Sequence, residues 1–255
     1  MLDNKINALK IADAHCHLDI IEDASKTIEE SINSGVSLMI TNSTDLRSCL
    51  RSLELSDNQH VFPALGLDPN ALISISKEKI NEEIKKIEHL IKDNKDKIVS
   101  IGEIGLDYFD LASEDDRELQ RKVFEHFVEL AVELGKPVSV HSRNAIDEVL
   151  DILIKHKVKR AHIHYFEGNE EHAGIIAERN FYVSIPPIES NRRSKAMRVL
   201  PLSNIMVESD APAIGVNPSS IMKSIEIVSK AKGISIDEVA RETYKNTKYF
   251  FNIKT

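Results

Sequence analysis

The run Asp13-Ala14-His15-Cys16-His17-Leu18-Asp19 decides how the rest of the chain is read. It follows Leu9-Lys10-Ile11-Ala12, which reads as a short strand. Side chains alternate faces along a strand, so His15 and His17 share a face and Cys16 points the other way. Two imidazoles on one face at a strand end make half of a transition-metal site. A lone histidine here would read as a core or surface residue. A pair flanked by Asp13 and Asp19 reads as ligands, because ligating imidazoles usually have carboxylates behind them. The question for the remaining sequence is whether it returns other ligands to this point.

Moving outward, short β-branched runs alternate with amphipathic stretches. The strand-like runs are 11–13, 36–41, 61–65, 98–101, 137–140, 160–163, 181–185 and 204–207. Between them lie stripes at helical spacing: Ile80, Ile84, Ile87 and Ile91; Leu119, Val123, Phe127, Leu130 and Leu134; Ile146, Val149, Leu150 and Leu153. Gly35 and Gly135 fall where helices should stop before a strand. Ser235-Ile236-Asp237-Glu238 resembles a capping box opening a last helix that runs to Phe251. Eight strands alternating with helices point to an α/β chain folded as a (β/α)8 TIM-type barrel, with a doubly wound open sheet as the alternative. No linker or low-complexity tract divides residues 1–255, so a single domain is expected.

Composition sets bounds on function. The 255 residues are 42% hydrophobic and 29% charged, which supports a sizeable core. A net charge of -8 argues against a protein that coats nucleic acid, although a bound metal would supply local positive charge. The two cysteines, Cys16 and Cys49, form neither a disulfide framework nor a zinc finger. Met1 to Lys10 lack the apolar core of a signal peptide, and no apolar run is long enough to cross a bilayer. A cytoplasmic protein with no membrane partner is the simplest expectation; oligomeric state is not legible.

A barrel carries its active site at the C-terminal ends of its strands. After the first strand-like run come His15 and His17, and after the fourth Gly102-Glu103-Ile104-Gly105-Leu106-Asp107-Tyr108. His141-Ser142-Arg143 follows the fifth, His164 the sixth, and Glu208-Ser209-Asp210-Ala211-Pro212 the eighth. Six of these side chains could hold two divalent metals. His15, His17 and Asp210 would hold one, His141 and His164 the other, and Glu103 could bridge them, the arrangement used for hydrolytic displacement. Singly, each has an ordinary explanation: a capped loop carboxylate for Glu103, a hydrogen-bonded core histidine for His141, a turn residue for Asp210. Six at one mouth favour metals, and Glu103 and Asp210 are also read as the catalytic carboxylates. A histidine-rich set favours zinc, manganese, iron or nickel over magnesium. His162 is read as a core histidine or a support for a ligand. His60, His89, His126, His156 and His172 are placed on solvated surfaces or helix ends.

Four motifs, Asp13 to Asp19, Gly102 to Tyr108, His141-Ser142-Arg143 and Glu208 to Pro212, in this order and spacing resemble the signatures of TatD-family metal-dependent deoxyribonucleases, members of the amidohydrolase-like barrels. The likeness covers nearly the whole chain. It implies metal ligation by His15, His17, Glu103, His141, His164 and Asp210, and hydrolysis of DNA phosphodiesters, often from an end. It implies two divalent ions, with magnesium, manganese or zinc as candidates. Some members are reported to act on other esters, including aminoacyl-tRNA esters. Two positions depart from the family pattern. Gly66-Leu67-Asp68-Pro69 has Asp68 where the family carries a histidine near the substrate phosphate, and His164-Tyr165-Phe166-Glu167-Gly168 adds Glu167. Both make the mouth more acidic, which leaves a small ester, amide or lactone as an alternative substrate and a non-catalytic barrel as a third reading. Arg143 is the expected phosphate donor. Arg192 and Arg193 are weaker candidates that a solvated helix face explains equally well. No basic-aromatic stacking surface of the kind used by single-strand binders is evident in the sequence.

Overall fold

The computed structural model describes residues 9–109 and 113–254. The stretch read above from Met1 lies outside the described residues as far as residue 8. Eight strands form one parallel sheet in sequence order: β1 (Ile11–Cys16), β2 (Val36–Asn42), β3 (Val61–Leu65), β4 (Ser100–Gly105), β5 (Val138–His141), β6 (Ala161–Ile163), β7 (Tyr182–Ile185) and β8 (Ile205–Val207). The helices are α1 (Ala24–Asn33), α2 (Leu46–Leu55), α3 (Pro69–Ser74), α4 (Lys77–Asp93), α5 (Glu114–Leu134), α6 (Ile146–Lys155), α7 (Glu170–Glu178), α8 (Asn191–Val199), α9 (Ile221–Lys232) and α10 (Ile236–Phe250). The sheet is drawn together between its first strand and the segment after its last. Asp210 N donates to His15 O at 3.0 Å and His17 N donates to Ala211 O at 2.7 Å. The (β/α)8 barrel expectation holds, and the open doubly wound sheet does not.

Two apolar layers hold the barrel. Ile80, Ile87 and Ile91 of α4, Val123, Phe127 and Leu130 of α5, and Val149, Leu150 and Leu153 of α6 are buried between the helices and the sheet. These are the stripes the 3.6-residue period picks out. A second cluster fills the barrel itself: Ala12, Ala14, Leu38, Ile40, Phe62, Ala64, Tyr182 and Met206, closed by Phe250 and Phe251 at the end of α10. Ser235 caps α10 by accepting from Glu238 N at 3.2 Å, and Gly135 ends α5 with φ 65°.

One strand differs from the expected boundaries in a way that matters. The fourth run was expected to end at Ile101, but β4 starts at Ser100 and continues through Gly105. Glu103 therefore lies inside a strand, not after one. Glycine is a poor strand former, which hides this strand from a propensity reading. The packing explains why glycine is required. A Cβ on Gly105, whose φ is 146°, would sit 2.1 Å from His141 O, and a Cβ on Gly66 would sit 2.4 Å from Glu103 O. The backbones of β3, β4 and β5 approach closely at the height of Glu103. A second irregularity lies in β1, where the register with β2 shifts between Asp13 and Cys16. Ala12 and Ala14 belong to the interior cluster, and beyond the shift the rings of His15 and His17 turn to the interior instead.

Candidate metal centre

Each strand end delivers its side chains to one point. His15 Nε2 and His17 Nε2 lie 3.3 Å apart. Asp210 Oδ1 lies 3.8 Å from the first and 3.4 Å from the second. Glu103 Oε2 lies 3.4 Å from His15 Nε2 and 3.6 Å from His17 Nε2. The other oxygen of the same carboxylate faces the other pair: Glu103 Oε1 is 2.9 Å from His141 Nδ1 and 2.8 Å from His164 Nε2. Those two nitrogens are 3.1 Å apart. All six residues proposed as ligands from the sequence thus converge, with Glu103 between two groups of donors. His15, His17 and Asp210, and separately Glu103, His141 and His164, have donor atoms close enough to share an ion. Imidazole nitrogens with carboxylate oxygens are the donors a divalent transition ion takes, so the residues fit such ions.

The charges are mutually adjusted. Burial would raise the Glu103 carboxyl, but the charges of His164 and His15 and the contact with His141 outweigh it and hold the group well below its usual range. Burial likewise acts to raise Asp210, and the His17 contact with the charges of His15 and His164 brings it below the usual value. His17 and His141 are both pushed up to about 9. In each, burial acts downward and is outweighed, by Asp210 and Glu103 around His17 and by Asp107 and Glu103 around His141. His164 is likewise raised, whereas burial and the charge of His164 lower His15, so the raised imidazoles face lowered carboxylates across the centre.

The groups behind the rings differ from expectation. Neither Asp13 nor Asp19 backs an imidazole. Asp13 Oδ1 accepts from His15 N and Ser209 N at 3.2 and 2.9 Å, and Oδ2 accepts from Ser209 Oγ at 2.5 Å, so it ties β1 to the segment after β8. Asp19 makes no hydrogen bond to either ring. His17 Nδ1 lies 2.8 Å from Asn42 O, and His15 Nδ1 has no partner among the described residues. The carboxylates stand instead behind the other pair. Asp107 Oδ2 is 2.8 Å from His141 Nε2, and Glu208 Oε2 is 3.7 Å from His164 Nδ1. Asp107 is itself fixed by Asn70 Nδ2 at 3.0 Å and by Gln120 Oε1, which accepts from Asp107 N at 2.9 Å. Glu208 accepts from Tyr165 N at 2.7 Å and Ser184 Oγ at 2.5 Å. Both acids were visible inside motifs, but their roles depend on partners 34 and 44 residues away.

His162 is a core histidine, as one of its two expected roles had it. Its ring lies between Ser139 Oγ at 3.1 Å and Ser184 Oγ at 2.6 Å, and burial holds its pKa well below the ordinary value. His172 is at a helix end as expected, buried where it completes the capping box of α7 with Asn169. Among the peripheral histidines, His60 departs from a solvated or helix-end placement. His60 lies just before β3, with Nδ1 3.0 Å from Ser37 O.

A cleft of about 520 Å³ opens from the centre, lined by His141, His164 and Asp210 together with Phe109, Arg143 and Arg192. Arg143 and Arg192 therefore both face the cleft. Arg193 is not on a solvated face. It is 1% exposed, with Nε donating to Phe166 O at 2.5 Å and Nη1 donating to Ile188 O at 2.7 Å. Asp68 is buried, caps α3 by accepting from Asn70 N and Ala71 N at 2.9 Å each, and does not line the cleft. Burial, then the charge of Glu103, raises it to about 6. Glu167 lines the cleft, but Arg193 Nη2 lies 3.6 Å from its carboxylate. Two arginine–aromatic pairs that the sequence did not show form at the cleft. Arg143 stacks on Phe109 and Arg193 lies over Tyr165, pairs made by folding between residues 34 and 28 positions apart.

A parallel barrel with a histidine–carboxylate centre at its C-terminal mouth defines the class of metal-dependent barrel hydrolases. The family described as TatD related DNase matches residues 12–252, and the chain belongs to it. The chain is 30% identical over 256 residues to a putative deoxyribonuclease, TATDN3, of Mus musculus, spanning 93% of this chain and 87% of that one. It is 31% identical over 254 residues to an uncharacterized metal-dependent hydrolase of Methanocaldococcus jannaschii, spanning 95% and 97%. The crystal structure of YjjV, a TatD homologue from Escherichia coli, superposes with a TM-score of 0.85 at 24% identity, covering 97% of this chain and all of that one. The last likeness speaks to the fold alone. No helix among the described residues is long and apolar enough to cross a membrane.

Proposed function

We propose that this protein is a two-metal phosphodiesterase that hydrolyses DNA, with His15, His17 and Asp210 holding one divalent ion, His141 and His164 the other, and Glu103 bridging them. The observation that carries the reading is the division of Glu103: one oxygen faces each pair of imidazoles. Ions held there would supply Lewis-acid stabilisation of phosphoryl charge and a water of lowered pKa.

The chain's own groups do the rest. Asp210 is held ionised and lines the cleft, so one of its oxygens can accept a proton from the attacking water. The water oxygen bonds to phosphorus, and the bond from phosphorus to the leaving sugar oxygen breaks as that oxygen takes up the proton that Asp210 accepted. Arg143 offers two N–H groups to the phosphate and Arg192 offers a second charge at the rim. The alternative, a small ester, amide or lactone, drew its support from Asp68 and Glu167. The helix-capping role of Asp68 and the pairing of Glu167 with Arg193 lend it no weight.

The test is one gel. An end-labelled single-stranded oligonucleotide is incubated with the protein and manganese or magnesium, with a chelator, and with a Glu103→Ala control. The reading expects a ladder that needs metal and is missing in the control. An intact oligonucleotide with metals shown to be bound sinks it.

A further inference from the structure

The end of the barrel opposite the metal centre carries charge of the other sign. The chain as a whole is at -8, yet the run Lys155-His156-Lys157-Val158-Lys159-Arg160, which closes α6 and leads into β6, holds no carboxylate. Lys157 and Lys159 are exposed. Arg160 ties this run to the end of α10, with Nη1 donating to Phe250 O at 3.2 Å. Along α10, Arg241, Lys245 and Lys248 recur at spacings of four and three, on one face of the helix. Like charges at these spacings disfavour a helix, and Glu242, 3.2 Å from Lys245 Nζ, offsets one of them. The helix dipole accounts for Lys248 in the last turn, but not for Lys245, Lys157 or Lys159. The stripe therefore serves something other than the helix.

The two basic segments wall a second cleft of about 520 Å³, lined by Arg160, Lys245, Lys248, Tyr244, Tyr249 and Asn252. Tyr244 is partly buried against the interior cluster, and Lys248 Nζ lies 5.8 Å from its ring centroid. Tyr249 is 70% exposed and belongs to neither apolar cluster. Cations and an exposed aromatic ring around one cleft are the combination that takes a phosphate backbone and a base. This cleft shares no lining residue with the one at the metal centre. The two lie at opposite ends of β6: Arg160 precedes the strand and His164 follows it.

We propose that this cleft is a second, non-catalytic binding site that holds an internal stretch of a single-stranded nucleic acid. The phosphates meet Arg160, Lys245 and Lys248, and one base lies on Tyr249. Lys157 and Lys159 extend the positive track next to Arg160. Stacking on a tyrosine accepts any base, so the site reads backbone and ring face, not sequence. It takes a strand without regard to its ends. A lipid surface fits it less well, because faces that lie on membranes present several exposed apolar side chains. Among the described residues that line the cleft, Tyr249 alone is a large exposed one. The proposal stands whether or not the metal centre cleaves DNA.

The probe is a closed circle of single-stranded DNA with an internal fluorophore, which has no end to offer the metal centre. Its binding to chelator-stripped protein is read by fluorescence anisotropy, beside vesicles of phosphatidylserine. Wild type is compared with a double variant, Lys157→Glu with Lys245→Glu, and with Tyr249→Ala; all three positions are exposed. Wild type should bind the circle with a Kd on the order of 10⁻⁵ M, its log affinity falling with log salt at a slope of about −2 for three phosphates. The charge reversals and Tyr249→Ala should each weaken binding roughly ten-fold, with melting temperatures unchanged. The manganese-loaded variants should hydrolyse bis(p-nitrophenyl) phosphate, too small to reach both ends of the barrel, at the wild-type kcat/KM. If no form of the protein hydrolyses this diester, the nuclease reading falls and the binding result still decides the cleft. The proposal is overturned if wild type does not bind the circle, if the variants bind it as wild type does, or if the vesicles are bound in preference to it. Loss of diester hydrolysis in step with loss of binding also overturns it, because the cleft would then act through the centre.

Discussion

The two halves of the centre share one carboxylate and are otherwise built differently. His15 and His17 are two residues apart on one strand and nearly inaccessible, at 0% and 6%. Behind them stand a backbone carbonyl for His17 and no partner for His15. His141 and His164 come from different strand ends and line the cleft; Asp107 bonds the ring of His141, and Glu208 lies 3.7 Å from Nδ1 of His164, within charge range but not hydrogen-bonded to it. A carboxylate fixes the ring and makes it a more basic ligand, whereas a carbonyl mainly orients it. One half is thus carried by neighbouring residues of one strand end without a carboxylate behind it, and the other by separate strand ends with Asp107 and Glu208 behind it. The two should be separable by changes that touch no proposed ligand.

The largest effect belongs to the element the halves share. Glu103→Ala should lower hydrolysis roughly 10³-fold, about 4 kcal/mol of barrier, in single-turnover assays. It should also reduce bound metal in both halves. Retained occupancy of both would show that Glu103 does not bridge them. Next comes the support behind one half. Asp107→Asn should weaken one ion roughly 10- to 100-fold and spare the other, as read by metal titration.

A difference in pH response should follow from the raised imidazoles. His17 and His141 have folded values of about 9, above the ordinary 6.5. Their favourable charge contacts are fully present below pH 6.5 and are lost as pH rises through 9. The melting temperature of chelator-stripped protein should therefore fall between pH 6.5 and 9, while the metal-loaded protein changes less. A flat profile for the stripped protein would remove the imidazole–carboxylate network from the account. The smallest expected effect is at Asp68. Asp68→Asn keeps a cap acceptor and should cost less than about 0.5 kcal/mol, whereas Asp68→Ala should cost about 1 kcal/mol in urea unfolding. A large change in kcat/KM with Asp68→Asn would return this residue to the substrate.

The parts of this design that are local in sequence were legible there. Eight β-branched runs and the helical stripes declared the barrel, and the residues after or near the runs declared the convergent donors. The extent of β4 was hidden because Gly102 and Gly105 answer to close backbone contact, not to strand propensity. The rotation of His15 to the interior depends on a register shift that strict alternation does not foresee. The supports were hidden for another reason: Asp107 meets His141, and Glu208 meets His164, only after the sheet is rolled up. The same holds for Arg143 over Phe109. Arg193 looked like a solvated charge because helix α8 is strongly polar, yet its guanidinium is buried against loop carbonyls.

The most direct measurement is a manganese titration of chelator-stripped wild type and Asp107→Asn, with free ion counted by electron paramagnetic resonance. The account predicts two ions per chain in wild type, with one of them weakened roughly 10- to 100-fold in the variant and the other unmoved. One ion per chain, or two weakened alike, would contradict it.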